Sequence, residues 1–115
     1  MTIVPILLAV VACSPGKFNL DEKIGMCGDV SKSSFMKDCG QNYVETNVSG
    51  FLIPESSEEE FAANRAIAQT RALPVYSANG FFPGDLKLVG PDADIERAAK
   101  YSETAIRRAS ELGIK

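Results

Sequence analysis

The chain has 115 residues, room for one ordinary domain or for part of a larger one, with the 45% hydrophobic and 23% charged content of a soluble globular protein. A net charge of -3 and a pI near 4.9 argue against nucleic-acid binding, and the absence of histidine removes the commonest general base and transition-metal ligand. Three cysteines without a C-x-x-C pair exclude a zinc ribbon and a disulfide scaffold.

Met1 to Ala12 reads MTIVPILLAVVA, an apolar run of signal-peptide length and too short to span a bilayer as a helix. It ends in VVAC and is followed by SPGK, which resembles a bacterial lipobox. On that reading Cys13 is the lipidated first mature residue, 13–22 is a tether, and the protein is anchored to the membrane in the bacterial cell envelope or periplasm. The alternative is a buried first strand in a cytoplasmic protein, because a continuous Ile/Val/Leu run also suits a parallel sheet.

The folded domain is expected over 23–115. Lys23 to Gly28, KIGMCG, reads as its first strand. Asp29 to Cys39 places Phe35, Met36 and Cys39 at helical spacing with Gly40 as the stop. Cys27 and Cys39 read as buried thiols packing as small hydrophobes. Asn42 to Val48 alternates as a strand, with Tyr43, Glu45 and Asn47 on one face and Val44, Thr46 and Val48 on the other. A carboxylate and an amide two residues apart near the end of a strand project together, unless Glu45 is neutralised by a neighbouring Lys or Arg.

SSEEEF opens the next helix, with Ser56 and Glu59 or Ser57 and Glu60 as a capping box and three Glu at the positive end of the dipole. The acidic run is thus a helix start and not a metal site. Phe61, Ile67, Ala68 and Ala72 form the buried stripe, and Pro74 marks the end. PVYSAN is the third strand, with Val75, Ser77 and Asn79 on one face.

Asn79 to Asp92, NGFFPGDLKLVGPD, is a loop of fourteen residues, longer than the usual βα connection, and its Phe81–Phe82 pair is poor material for a solvated linker. A long helix follows to Leu112, with a stripe of Ile95, Ala98, Ser102, Ala105, Ala109 and Leu112 and Gly113 as its C-cap. The cations Arg107, Arg108 and Lys115 at its end complement the helix dipole. Ile114 and Lys115 look like the opening of a fourth strand.

Strand and helix alternate three times, the pattern of βαβ units on a parallel sheet, either doubly wound or a (β/α)8 barrel. The sequence has neither G-x-G-x-x-G after the first strand nor G-x-x-x-x-G-K-[ST], which lowers the nucleotide-binding forms of the open sheet. KIGMCG, then CGQNYVETNVSGFLIP with EEEF, then LPVYSANGFFPGDLKLVGPD, then KYSETAIRRASELGIK resemble the N-terminal part of the xylose-isomerase-like TIM-barrel family of sugar and sugar-phosphate isomerases and epimerases.

The resemblance implies about three of eight βα units, in a barrel of ~250 residues. It implies a sugar or sugar-phosphate ligand bound by Glu45, Asn47 and Asn79, with Phe81 and Phe82 as apolar walls and Glu45 as the candidate catalytic base. The divalent metal of such enzymes, Mg, Mn or Zn, is held by residues from later strands, so this chain alone is expected to bind no metal and to turn nothing over. The second functional class is a non-catalytic carbohydrate-binding or interaction module that keeps part of the barrel and forms a homo-oligomer.

Overall fold

The structure is a computed structural model that describes residues 24–115. The apolar segment, the tether and Cys13 lie outside the described residues. Three short strands, β1 (Gly25–Cys27), β2 (Tyr43–Asn47) and β3 (Val75–Asn79), form one parallel sheet in the order β1-β2-β3. The fold is α/β, with α1 (Ser33–Asp38), α2 (Glu58–Thr70) and α3 (Ile95–Leu112) following the strands in turn.

β2 shows why the alternation reading works. Val44, Thr46 and the following Val48 are buried, while Tyr43, Glu45 and Asn47 are only partly covered. A strand whose side chains alternate in this way has one face under helices and keeps a second face for other uses. β3 departs from the expected alternation. Val75 pairs with Val44 and is buried, but Ser77 then pairs with Glu45, so Tyr76 is an extra residue at a bulge. Val75 therefore does not share a face with Ser77. A bulge re-aims side chains, and this one turns Ser77 toward Glu45 and lays Tyr76 on Tyr43, with ring centroids 5.3 Å apart. On the other side of Tyr43, Gly25 admits the ring, because a Cβ there would stand 2.3 Å from it.

After β1, Asp29 caps a 3₁₀ turn (Val30–Lys32) by accepting from the Ser31 amide at 2.9 Å. Val30, Ser33 and Met36 face the core. Phe35 points outward at 66% exposure, and Cys27 and Cys39 are exposed, which corrects the expectation of buried thiols. The cause is the shortness of β1 and α1, which leaves Cys27 at the end of a strand and Cys39 at the C-cap of a six-residue helix.

β2 runs into a wide turn (Val48–Leu52) that buries Val48, Phe51 and Leu52. Its cap, Ile53, has φ 39°, the left-handed region that a β-branched residue enters only under constraint. The helix signals of α2 are as expected. Ser57 and Glu60 form the capping box, with the Ser57 amide donating to Glu60 Oε2 at 2.9 Å and the Glu60 amide to Ser57 Oγ at 3.2 Å. Phe61 and Ala68 are buried and Ile67 packs against the core, whereas Ala72 lies beyond the helix end.

The third helix turns differently from its expected stripe. Its buried positions are Ala98, Tyr101, Ala105, Arg108 and Leu112, and Ile95 is 60% exposed. Spacing of three and four fits several neighbouring stripes, and the large ring of Tyr101 and the donors of Arg108 select this one. Asp94 is the N-cap, accepting from the Arg97 amide, and Gly113 at φ 71° closes the helix. Ile114 is buried beside it, and the Lys115 amide donates to Tyr76 O at 3.2 Å, on β3.

Arg108 is not a helix-end cation. It is 1% exposed, and its guanidinium stacks 4.3 Å above the Phe61 ring. It donates to the carbonyls of Leu52, Ile53, Ser56 and Ser57 and to Glu58 Oε1. One side chain thus binds four carbonyls of the β2–α2 connection, including that of the strained Ile53. A fully buried Phe or Leu contributes ~1.5–3 kcal/mol by area alone, and Phe61 and Leu52 beside Arg108 supply that term.

Candidate functional site

The C-terminal ends of the three strands bring Cys27, Glu45, Asn47, Ser77 and Asn79 together. In parallel pairing Cys27 lies beside Glu45, Glu45 beside Ser77, and Asn47 beside Asn79. Ser77 Oγ donates to Glu45 Oε2 at 2.7 Å and Asn79 Nδ2 donates to Glu45 Oε1 at 2.9 Å. Asn79 Nδ2 also reaches Cys27 Sγ at 3.1 Å, and Asn47 Nδ2 donates to Asn79 Oδ1 at 3.3 Å. Asn47 Oδ1 in turn accepts from Ser49 Oγ at 2.7 Å and from the Gly50 amide at 2.8 Å.

The geometry orients Asn47 from two sides. Its carbonyl oxygen caps the wide turn after β2. Its amide nitrogen lies against Gly80, where a Cβ would come within 2.5 Å of Nδ2. Gly80 also has φ 58°, so both its backbone angle and this close approach favour glycine.

Glu45 is half-buried and remains a carboxylate. Hydrogen bonds from Ser77 and then Asn79 hold its carboxyl below the usual carboxylate range, against a smaller opposing effect of burial. Among the described residues it has no ion pair; the salt bridges lie on the helix side, at Glu55, Glu58, Asp85 and Glu111. The alternative, that a neighbouring Lys or Arg neutralises Glu45, is not met among the described residues.

Glu45 and Asn47, placed together by alternation, and Asn79, joined to them by the resemblance, form one connected network. Phe81 and Phe82 are placed differently. Their rings meet edge to face at 4.9 Å and pack on Tyr101 of α3, at 6.2 and 5.7 Å. Ser77 and Cys27 are the members that sequence reasoning left out. Ser77 needed the bulge to reach Glu45. The signal for Cys27 was its position, the last residue of a strand followed by glycine.

A cleft of about 450 Å³ adjoins the network, walled by Cys27, Asp29, Thr46, Asn47, Phe51 and Asn64. A larger one of about 890 Å³ lies along α3 and the start of α2 and shares no residue with the network. Some of its charged walls are engaged with one another, Arg97 with Glu55 and Arg107 and Arg108 with Glu58, while Asp94, Glu96 and Lys100 form no salt bridge among the described residues. The smaller cleft meets the network at Cys27 and Asn47. Among the described residues no three His, Cys, Asp or Glu side chains converge.

No family model, curated protein or solved structure matches the chain. What the network can do chemically is bind a polyhydroxylated molecule. Carboxylate and amide groups held in fixed orientations, with spare lone pairs, are suited to hydroxyl groups.

Proposed function

We propose that this chain is the N-terminal three βα units of a xylose-isomerase-like (β/α)8 barrel, the sugar-binding part of a sugar or sugar-phosphate isomerase or epimerase. The observation that carries the reading is the Glu45–Asn79–Asn47 network at the C-terminal edge of a parallel sheet, the edge where barrel enzymes bind their ligands. A second observation supports a barrel over a doubly wound sheet. The Lys115 amide bonds to Tyr76 on β3, as when the next strand joins the third, whereas the dinucleotide-binding order returns it to the first.

On this reading Asn47 and Asn79 orient sugar hydroxyls, and Glu45 is the candidate base. Moving a proton next to a carbonyl also requires an electrophile for the enediolate charge. The complete family enzyme would obtain it from Mg, Mn or Zn held by later strands. The isolated chain is accordingly a binding unit without turnover. The proposal extends to a lipidated Cys13 that anchors the protein to the bacterial cell envelope; among the described residues no helix is long and apolar enough to cross a membrane.

Two measurements on the purified chain test this. Calorimetric titration with neutral pentoses and hexoses is expected to show weak, saturable binding that Asn79→Ala removes. Aldose–ketose and C3-epimer assays with added Mg, Mn or Zn are expected to show no conversion, and metal-dependent turnover by this chain would refute the inactive-fragment reading. A second reading is a non-catalytic carbohydrate-binding module that dimerises. It is favoured by the apolar side chains Ile24, Met26 and Phe35 exposed near β1, since open sheet edges invite pairing. A concentration-independent dimer in size-exclusion chromatography would support it.

A further inference from the structure

Counting the hydrogen-bonding capacity of the network residue by residue gives a lopsided result. Both N–H groups of Asn79 are engaged, one on Glu45 Oε1 and one on Cys27 Sγ. The Ser77 hydroxyl has donated its proton to Glu45 Oε2. Asn47 has one amide proton on Asn79 Oδ1 and its own oxygen doubly occupied by Ser49 and Gly50. What remains free is a lone pair on each Glu45 oxygen, those of Ser77 Oγ and one on Asn79 Oδ1. Against these stand a single Asn47 N–H and the weak Cys27 thiol donor. The cluster accepts far more than it can donate, and it carries a negative charge that no cation among the described residues balances.

We infer that this edge of the sheet selects a ligand bearing a protonated amine, an amino-substituted sugar, over the parent hydroxyl compound and against a phosphate. This selectivity presupposes that the edge is a sugar site, as proposed above. An ammonium brings three donors and no acceptor, and so matches the free lone pairs of Glu45, Ser77 and Asn79 group for group. A hydroxyl brings one donor and leaves the charge uncompensated. A phosphate is anionic and mainly an acceptor, so it meets only the Asn47 N–H and the weak Cys27 thiol and is repelled by Glu45. One carboxylate among neutral neighbours also suits a singly charged ammonium better than a divalent ion, which requires several oxygen ligands at short, regular distances.

The test uses the full chain and three probes: glucose, glucosamine and glucose 6-phosphate, titrated at about pH 6, where an alkylammonium is charged and Glu45 is ionised. Glucosamine is expected to bind about tenfold more tightly than glucose, because charge-assisted hydrogen bonds are roughly twice as strong as neutral ones. Glucose 6-phosphate is expected to bind most weakly. Glu45→Gln should bring glucosamine and glucose within about twofold of each other, and added salt should weaken glucosamine alone. The salt series keeps the test independent of how well the variant folds. Glucose binding as tightly as glucosamine, a preference that survives in Glu45→Gln, or phosphate binding tighter than glucose would each overturn the amine selectivity while leaving the sugar site standing. Failure of every probe to bind would overturn both.

Discussion

Arg108 and Glu45 are both charged side chains set among mainly uncharged partners, and they differ in what is left over. Arg108 is buried, lies over Phe61, and distributes its Nη donors over four backbone carbonyls and one carboxylate. Glu45 is half-buried, is held by two neutral donors, and keeps a lone pair on each oxygen. The first network closes its Nη donors on the chain's own backbone, leaving only the buried Nε without a partner, and fixes a connection that contains a left-handed Ile53. The second is ordered yet open. Polar clusters of similar density can therefore serve stability or recognition, and the distinction lies in unused hydrogen-bonding capacity.

The largest effect is expected where the closed network breaks. Arg108→Ala removes the donor to four carbonyls of the β2–α2 connection and one of the three arginines on Glu58, and each buried carbonyl left unsatisfied should cost ~1–3 kcal/mol in denaturant unfolding. Arg108→Lys should recover only part of it, since an ammonium lacks the planar fork. An unfolding free energy within experimental error of the parent would mean that the β2–α2 connection is held by something else. Gly80→Ala comes next, because it lies between the two regimes. Strain at positive φ should lower stability by ~1–3 kcal/mol, and the methyl group should displace the Asn47 amide, visible as a shift of its side-chain resonance.

Ser57→Ala, which removes half of the capping box, should cost ~1 kcal/mol and leave sugar binding unchanged. Acid titration separates the two carboxylates further. Glu58, bonded by Arg107, Arg108 and Arg65, is lowered to about 2. Because the folded value is depressed, its contribution is full above the ordinary value of 4.5 and is lost as pH falls toward 2. Unfolding midpoints measured from pH 5 down to about 2 should decline in the parent and decline less in Glu58→Gln. The smallest stability effect is expected for Glu45→Gln, whose denaturation midpoint should be nearly that of the parent while its ligand binding changes.

The open network was largely legible in the sequence and the closed one was not. Strand alternation put Glu45 and Asn47 on one face because a period of two leaves little freedom, and the capping box and Gly113 are local signals. Val75 was misplaced on the face of Ser77 and Asn79 because a bulge shifts the period by one residue and leaves no mark in VYSAN. Arg108 read as a helix-end cation because its partners are backbone carbonyls more than fifty residues away, which no spacing rule reports. Tyr101 and Ile95 were exchanged for the same reason, since α3 offers two adjacent stripes and only tertiary packing chooses. Cys27 and Cys39 read as buried because cysteine usually is. Here each ends a short element and is exposed.

The central claim is that recognition resides at the C-terminal edge of the sheet. Its most direct test is an NMR titration of the uniformly ¹⁵N-labelled chain with a neutral pentose. The side-chain amides of Asn47 and Asn79 are expected to shift saturably, with the guanidinium of Arg108 and the backbone of 52–58 unchanged. Shifts confined to the α2–α3 side, or none at the two asparagines at saturating sugar, would contradict it.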